Sequence, residues 1–356
     1  QRQMCIRDRD TNILGSTVQG DKVTAKIGGN LNIETLQEKE TYEEKNTSAG
    51  FDLSWDIRSG KFSKPTFGLS AGRGTIDSHY RSARGQSGIF AGKGGFDIYV
   101  EKNTDLKGAV IASEANKEKN RLSTRTFSFS GLKNGADYSA KSIGAEYHHY
   151  GSYDKMSEKE KNKVYNTIGL APSLSMPAKG DANSTTSAAV APGTIEVREN
   201  PTQNISALNR DTENVLNELG RIFDKEMIEE QQELAKVFGE EAFRLLHNMK
   251  DDGSGRKIAA HAIIGGLMSQ ITGEDFAPGA VGAGLNEALI KNLKGLDPGT
   301  AQIVSAIVGA AAVKAIGGTT QAGASAAASG TKWNKYERLP EIREQLYLLW
   351  GSGKYK

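Results

Sequence analysis

The residues of this chain that could do chemistry are few, and their spacing does not fit the chemistry they suggest. Gly88–Gly95 (GIFAGKGG) has the glycines and lysine of a phosphate-cradling loop. Such a loop needs four residues before its Gly-Lys, a Ser or Thr after it and a helix following, and all three are missing. His148 and His149 are adjacent, so on a strand they point to opposite faces, and no carboxylate cluster completes a metal shell. His247 and His261 lie on separate helical segments without a His-Glu-x-x-His pair; His261, inside AAHAII, is expected to hydrogen-bond within a helix bundle. Asp251–Gly255 (DDGSG) lacks the alternating acids of a calcium loop and reads as a turn. Glu240 and Glu241 belong to a charged helical face. With no Gly-x-Ser-x-Gly elbow, no nucleophile is set up. The expected catalytic, metal and cofactor residues are therefore none, and no enzyme is expected.

The elements that would carry these residues fall into two textures. From Asp10 to about Tyr150 the pattern is strand and turn. Phe96 and Ile98 alternate with Asp97, and Leu31 and Ile33 with Asn32, so the apolar members face inward and the polar ones outward. Corners fall at Gly15, Gly28, Gly29, Gly94, Gly95 and Gly108, where a chain turning within one or two residues favours glycine. The unit repeats: Thr11–Val18 overlays Thr104–Ile111 at an offset of 93 positions, which fits about four coils of roughly 23 residues. Short strands with corner glycines, repeated, predict a right-handed parallel β-helix.

Between Phe51 and Leu69, two alternating runs flank a turn at Arg58–Gly60. Lys155–Lys163 is a charge run expected as a short solvated helix or tether. Ala171–Asn204 holds four of the chain's eight prolines among Ser, Thr, Ala and Asn, so it is expected to be a disordered linker and the first site of proteolysis. A long amphipathic helix is predicted from Asn209, with Val215, Leu216, Leu219, Ile222 and Phe223 on one face. Three helices rich in Gly, Ala and Ser follow: Ile258–Ile271, Gly279–Leu293 and Thr300–Ile316. Asp297-Pro298 supplies a start signal, and Gly273 and Gly317-Gly318 supply stops. Ile263, Ile264, Gly265, Gly266, Leu267, Ser305 and Gly309 are the expected bundle contacts and the surface that could meet a membrane.

The fold class is thus segregated β then α: β-helix, disordered linker, small-residue-rich α-helical domain. The expected divisions are 1–9, 10–150, 151–208, 209–330 and 331–356. The first, QRQMCIRDR, resembles a sequencing-adaptor scar and is set aside with Cys5, the only cysteine. The chain then reads as a piece of a longer protein. Forty-five basic residues against 43 acidic give a net charge of +2, which argues against a nucleic-acid partner. Aromatics at 7% and 41 glycines fit a turn-rich repeat and close-packed helices.

These stretches resemble a known family. Gly15–Gln37 (GSTVQGDKVTAKIGGNLNIETLQ) and Gly108–Asn116 (GAVIASEAN) are similar to the haemagglutinin repeats of filamentous-haemagglutinin exoproteins. Ala260–Leu289, with LDPGTAQIVSAIVGAAA and QAGASAAASGTKWNKY, resembles the pre-toxin segment of contact-dependent growth inhibition exoproteins. The Val-Glu-Asn-Asn motif of one branch is absent; Gly330–Asn334 stands near its place. The resemblance implies a non-enzymatic part of a two-partner-secretion exoprotein, secreted to the outer-membrane surface, that presents a C-terminal toxin. Its implied partners are an outer-membrane transporter, a target-cell surface receptor and the target membrane, with no small-molecule substrate and no cofactor. The alternatives are an adhesin and, second, a toxin nuclease in the C-terminal part.

Overall fold

The computed structural model describes residues 3–6, 9–55, 57–58, 61–62, 64–247, 249–293 and 295–334. Its strands are β1 (Gln3–Ile6), β2 (Thr11–Leu14), β3 (Thr17–Ile27), β4 (Leu31–Glu34), β5 (Gln37–Ser54), β6 (Ile57–Arg58), β7 (Lys61–Phe62) and β8 (Thr66–Ala83). They continue as β9 (Gly88–Lys107), β10 (Val110–Ser113), β11 (Arg121–Ser130), β12 (Leu132–His149), β13 (Gly169–Leu174), β14 (Ala178–Thr186), β15 (Ala189–Val190) and β16 (Thr194–Val197). The helices are α1 (Glu158–Val164), α2 (Lys225–His247), α3 (Arg256–Ile271), α4 (Phe276–Leu289), α5 (Pro298–Ala315) and α6 (Thr320–Asn334).

Two compact units share the chain. The first is 1–42, 78–137 and 181–222; the second is 43–77, 138–180 and 223–356. Apart from the short α1, strands precede helices along the sequence, but the division is not a single cut. Two excursions, 43–77 and 138–180, leave the first unit and belong with the helices.

In the first unit every registered strand pair is parallel. Thr11, Leu31, Thr104 and Phe127 stand in one ladder, and Val18, Ile89, Ile111 and Val190 in another. A third ladder runs through Thr24, Asp97, Arg121 and Thr194. Leu31, Ile33, Phe96, Ile98 and Leu106 are fully buried together between the ladders, while Asp97 is exposed and Asn32 and Asp105 are half-buried. Polar side chains stack outside in the same register: Asn32 Nδ2 donates to Asn12 Oδ1 at 2.8 Å, and Thr126 Oγ1 to Asn103 Oδ1 at 2.8 Å.

The ladders correct the expected coil count. Neighbouring rungs are usually 20 to 24 positions apart, as between Asn12 and Asn32 or Phe96 and Asn120. Twice the interval is much longer: 73 positions from Asn30 to Asn103 and 72 from Asn120 to Pro192. The offset of 93 therefore spans one short and one long interval between laddered strands, not four equal ones. Each long interval contains one of the excursions.

The corner glycines divide. Gly15, Gly95 and Gly108 take φ of +57°, +75° and +55°, which only glycine adopts cheaply. Gly28, Gly29 and Gly94 turn without positive φ. Gly29 is small for another reason, since a Cβ there would strike Asp10.

The expected disordered linker is a second correction. Residues 171–204 supply the end of β13 and all of β14, β15 and β16. Ala188, Ala189, Val190 and Ala191 are buried, and β15 and β16 pair with β10 and β11 as the last rung. The segment has too little apolar surface to fold alone, but the preceding coil already offers a sheet edge and a core. Beyond it, a strap covers the end of the stack. Ile205 and Leu208 pack on the core, and Arg210 donates to the carbonyls of Ala191 and Gly193, both at 3.0 Å. Because the core is continuous through these rungs, Leu106→Ala should destabilise the first unit by about 3 kcal/mol. Urea unfolding followed by far-UV circular dichroism checks it; a midpoint unchanged from the native chain would show that the rungs do not share a core.

The long helix begins at Lys225, not at Asn209. Val215 instead packs with Val110 and Ala189, and Leu219 N–H donates to Ser82 Oγ at 2.9 Å. In the second unit the excursions pack on helices. Ala140, Ala178 and Ile228 form one cluster, and Leu174 lies against Ala306, Ala324 and Ala328. β6 and β7 pair antiparallel, Arg58 with Lys61; the residues between them lie outside the described ones. The charge run forms α1, closed by a capping box between Ser157 and Glu160.

Candidate functional site

The helical unit brings together the most unusual side chains of the chain, and small residues make that possible. A Cβ on Gly279 would collide with the Gly265 carbonyl, and one on Gly265 with the Gly279 carbonyl, so α3 and α4 meet backbone to backbone. Gly282 and Gly309 are equally close to Gly323 of α6, joining α4 and α5 to it. Helices this close have no room for a large apolar core; alanines and polar groups fill the interior. The start and stop signals act as expected. Asp297 accepts from Thr300 N–H at 3.0 Å with Pro298 behind it, and Gly273 and Gly317 take φ of +78° and +74°.

At the centre His261 is completely buried against Phe243, with ring centroids 5.1 Å apart. Neither ring nitrogen has a hydrogen-bond partner. Glu287 Oε2 lies 3.4 Å from Nε2, out of hydrogen-bond alignment, while its other oxygen is 3.3 Å from Lys257 Nζ. Burial, and secondarily the Lys257 ammonium, push His261 down to about 3, so it is neutral at neutral pH. The Glu287 carboxylate would favour the imidazolium, but it is shared with Lys257. Alongside runs a satisfied chain: Asn286 Nδ2 donates to Thr331 Oγ1 at 2.9 Å, Thr331 to Ser305 at 2.6 Å and Ser305 to the Ala301 carbonyl at 2.8 Å. Proton abstraction or metal binding needs an accessible group or a third ligand. His261 is sealed, and among the described residues no group of three could hold a metal.

The expected contact residues separate by face. Ile264, Gly265, Gly266, Ser305 and Gly309 lie inside the bundle, whereas Ile263 and Leu267 point outward, 54% and 39% exposed. No helix of the described residues is long and apolar enough to cross a membrane. His148 sits 3.8 Å from Glu146, and His149 lies against Phe67, so the pair diverges. Gly88 is held against the Val110 carbonyl in the parallel ladder, which leaves no phosphate cradle at 88–95. Sequence reasoning missed α6 and with it Thr331 and Asn286. The signal available was the spacing of Gly323, Ala326, Ala327 and Gly330 after the Gly317-Gly318 stop.

Comparison with known proteins gives matches to both textures. The haemagglutinin repeat family matches residues 6–50. A deoxyribonuclease CdiA of Yersinia pseudotuberculosis is 36% identical over 256 residues, 71% of this chain and 23% of that protein. A deoxyribonuclease CdiA of Dickeya dadantii is 35% identical over 255 residues, 70% of this chain and 7% of that protein. The chain belongs to the haemagglutinin-repeat exoproteins of contact-dependent growth inhibition. A tRNA nuclease CdiA of Escherichia coli is 37% identical over 232 residues, 64% of this chain and 7% of that protein. The chain thus spans between 7% and 23% of the length of these CdiA relatives. No solved structure matches.

Proposed function

We propose that this chain is a non-enzymatic presenting and delivery segment of a two-partner-secretion exoprotein, and that the toxin it serves lies in other sequence. One observation carries the reading. The segment is 36% identical to a relative named a deoxyribonuclease and 37% identical to one named a tRNA nuclease. A stretch shared equally by proteins of different named activity is not what sets that activity. It suits a common task, holding and passing on an interchangeable cargo.

The first unit would then be a right-handed parallel β-helix, a stalk whose rungs add stability by neighbour contact. An outer-membrane transporter would export the whole protein to the cell surface, and a target-cell receptor would be engaged by other parts of it. The helical unit would act next to the cargo, with outward Ile263, Leu267 and Ile307 as the surface that meets a target membrane. The purified chain, incubated with plasmid DNA and with total tRNA in magnesium buffer, should cleave neither. Cleavage of either, abolished by a point change in the helical unit, would favour the nuclease alternative.

A further inference from the structure

Apart from the buried centre, the helical unit holds an open cleft of about 350 Å³, within the size range of small-molecule sites. It lies between β12 and β13 on one side and α2, α5 and α6 on the other. The geometry points to a binding site for a neutral sugar of one or two rings, beyond the delivery role proposed above.

The lining decides the class. Glu146, Glu240, Lys236 and Lys332 face the cleft with Trp333 and several serines, so its formal charge is zero. Each of the four is already paired. Lys332 Nζ is 3.6 Å from Glu146, Lys236 Nζ is 3.0 Å from Glu233, and Glu240 holds Arg244. Deep in the cleft a phosphate or a polyamine would have to break the half-buried Glu146–Lys332 or Glu240–Arg244 pair and leave its partner uncompensated. A lipid tail would strip water from the half-buried Glu146–Lys332 pair and offer it nothing in return. A strand-forming peptide would add to β13, but Pro172 removes a backbone donor there.

A sugar meets each of these conditions. Its hydroxyls both donate and accept, so they complete paired carboxylates and ammoniums without disturbing net charge. Its C–H face needs a flat apolar partner, and the Trp333 ring lines the cleft, held by the Arg244 guanidinium 4.4 Å and the Lys332 ammonium 5.5 Å from its centroid, with Arg244 itself fixed by Glu240 and Glu241. Ser173 and Ser329 supply further hydroxyls at the lining.

The full chain should be examined by saturation-transfer NMR with maltose, cellobiose and N,N′-diacetylchitobiose. At least one is expected to bind saturably in the millimolar range. Glu146→Gln, which keeps the side-chain shape, and Ser329→Leu, which fills the cleft, should each weaken that binding tenfold or more. Far-UV spectra of both variants must match the native chain; if one does not, the other carries the comparison, and Trp333→Phe takes its place. Saturation by none of the three sugars would overturn the site. So would binding that both folded variants leave unchanged, or displacement of the sugar by inorganic phosphate.

Discussion

Gly279→Val is expected to disrupt the helical unit by about 3 kcal/mol, the upper end of what overpacking costs. The added side chain has no outlet, because the atoms it would meet are the carbonyl of Gly265 and the hydroxyl of Ser269. A side chain can rotate away; a helix backbone can yield only by separating α3 from α4. That separation would open the interior lined by Ile264, Met268 and Ala283. Urea unfolding should show the loss, with Gly85→Ala as control, since nothing lies within 4 Å of a Cβ at that position. Equal midpoints for both variants would mean that the helices do not meet at these glycines.

His261 is expected to make the same unit acid-sensitive. Its folded value of about 3 lies below the unfolded value of 6.5, so in that window the unfolded chain binds a proton that the folded chain refuses. The contribution to stability is fully present above pH 6.5 and is lost as pH falls towards 3. Between pH 6.5 and 4.5 the loss attributable to this residue is about 2.5 kcal/mol. His261→Leu removes the titrating group while keeping an apolar side chain beside Phe243. The dependence of the urea midpoint on pH should therefore be flatter in the variant by about one proton. An unchanged slope would show that another group controls acid unfolding.

The legibility of this chain followed how local each determinant is. The alternation at Leu31–Ile33 and Phe96–Ile98 is set by residues two apart, and the Asp297-Pro298 start by residues side by side, so both could be read directly. The rungs at 189–197 could not. Judged by its own composition the stretch is a linker, yet Ala189 and Val190 need bury little because β10 already presents the edge and core they complete. Val215 shows the same limit: it fits a helical stripe, but a place between Val110 and Ala189 wins. α6 escaped because, unlike α3 to α5, it has no Ile, Leu or Val to mark a helix, only small residues whose spacing had to be noticed. The centre at His261 was visible only as a lone histidine, since Glu287 and Phe243 reach it from other helices.

The central claim is that this segment passes on a cargo without determining what the cargo does. Exchanging it for the matching stretch of a deoxyribonuclease relative, with that protein's own C-terminal region retained, tests this in a cell-competition assay. The account predicts that the hybrid still inhibits target cells and that their DNA is degraded. A hybrid displayed at the native level that leaves target DNA intact, or that damages tRNA instead, would contradict it.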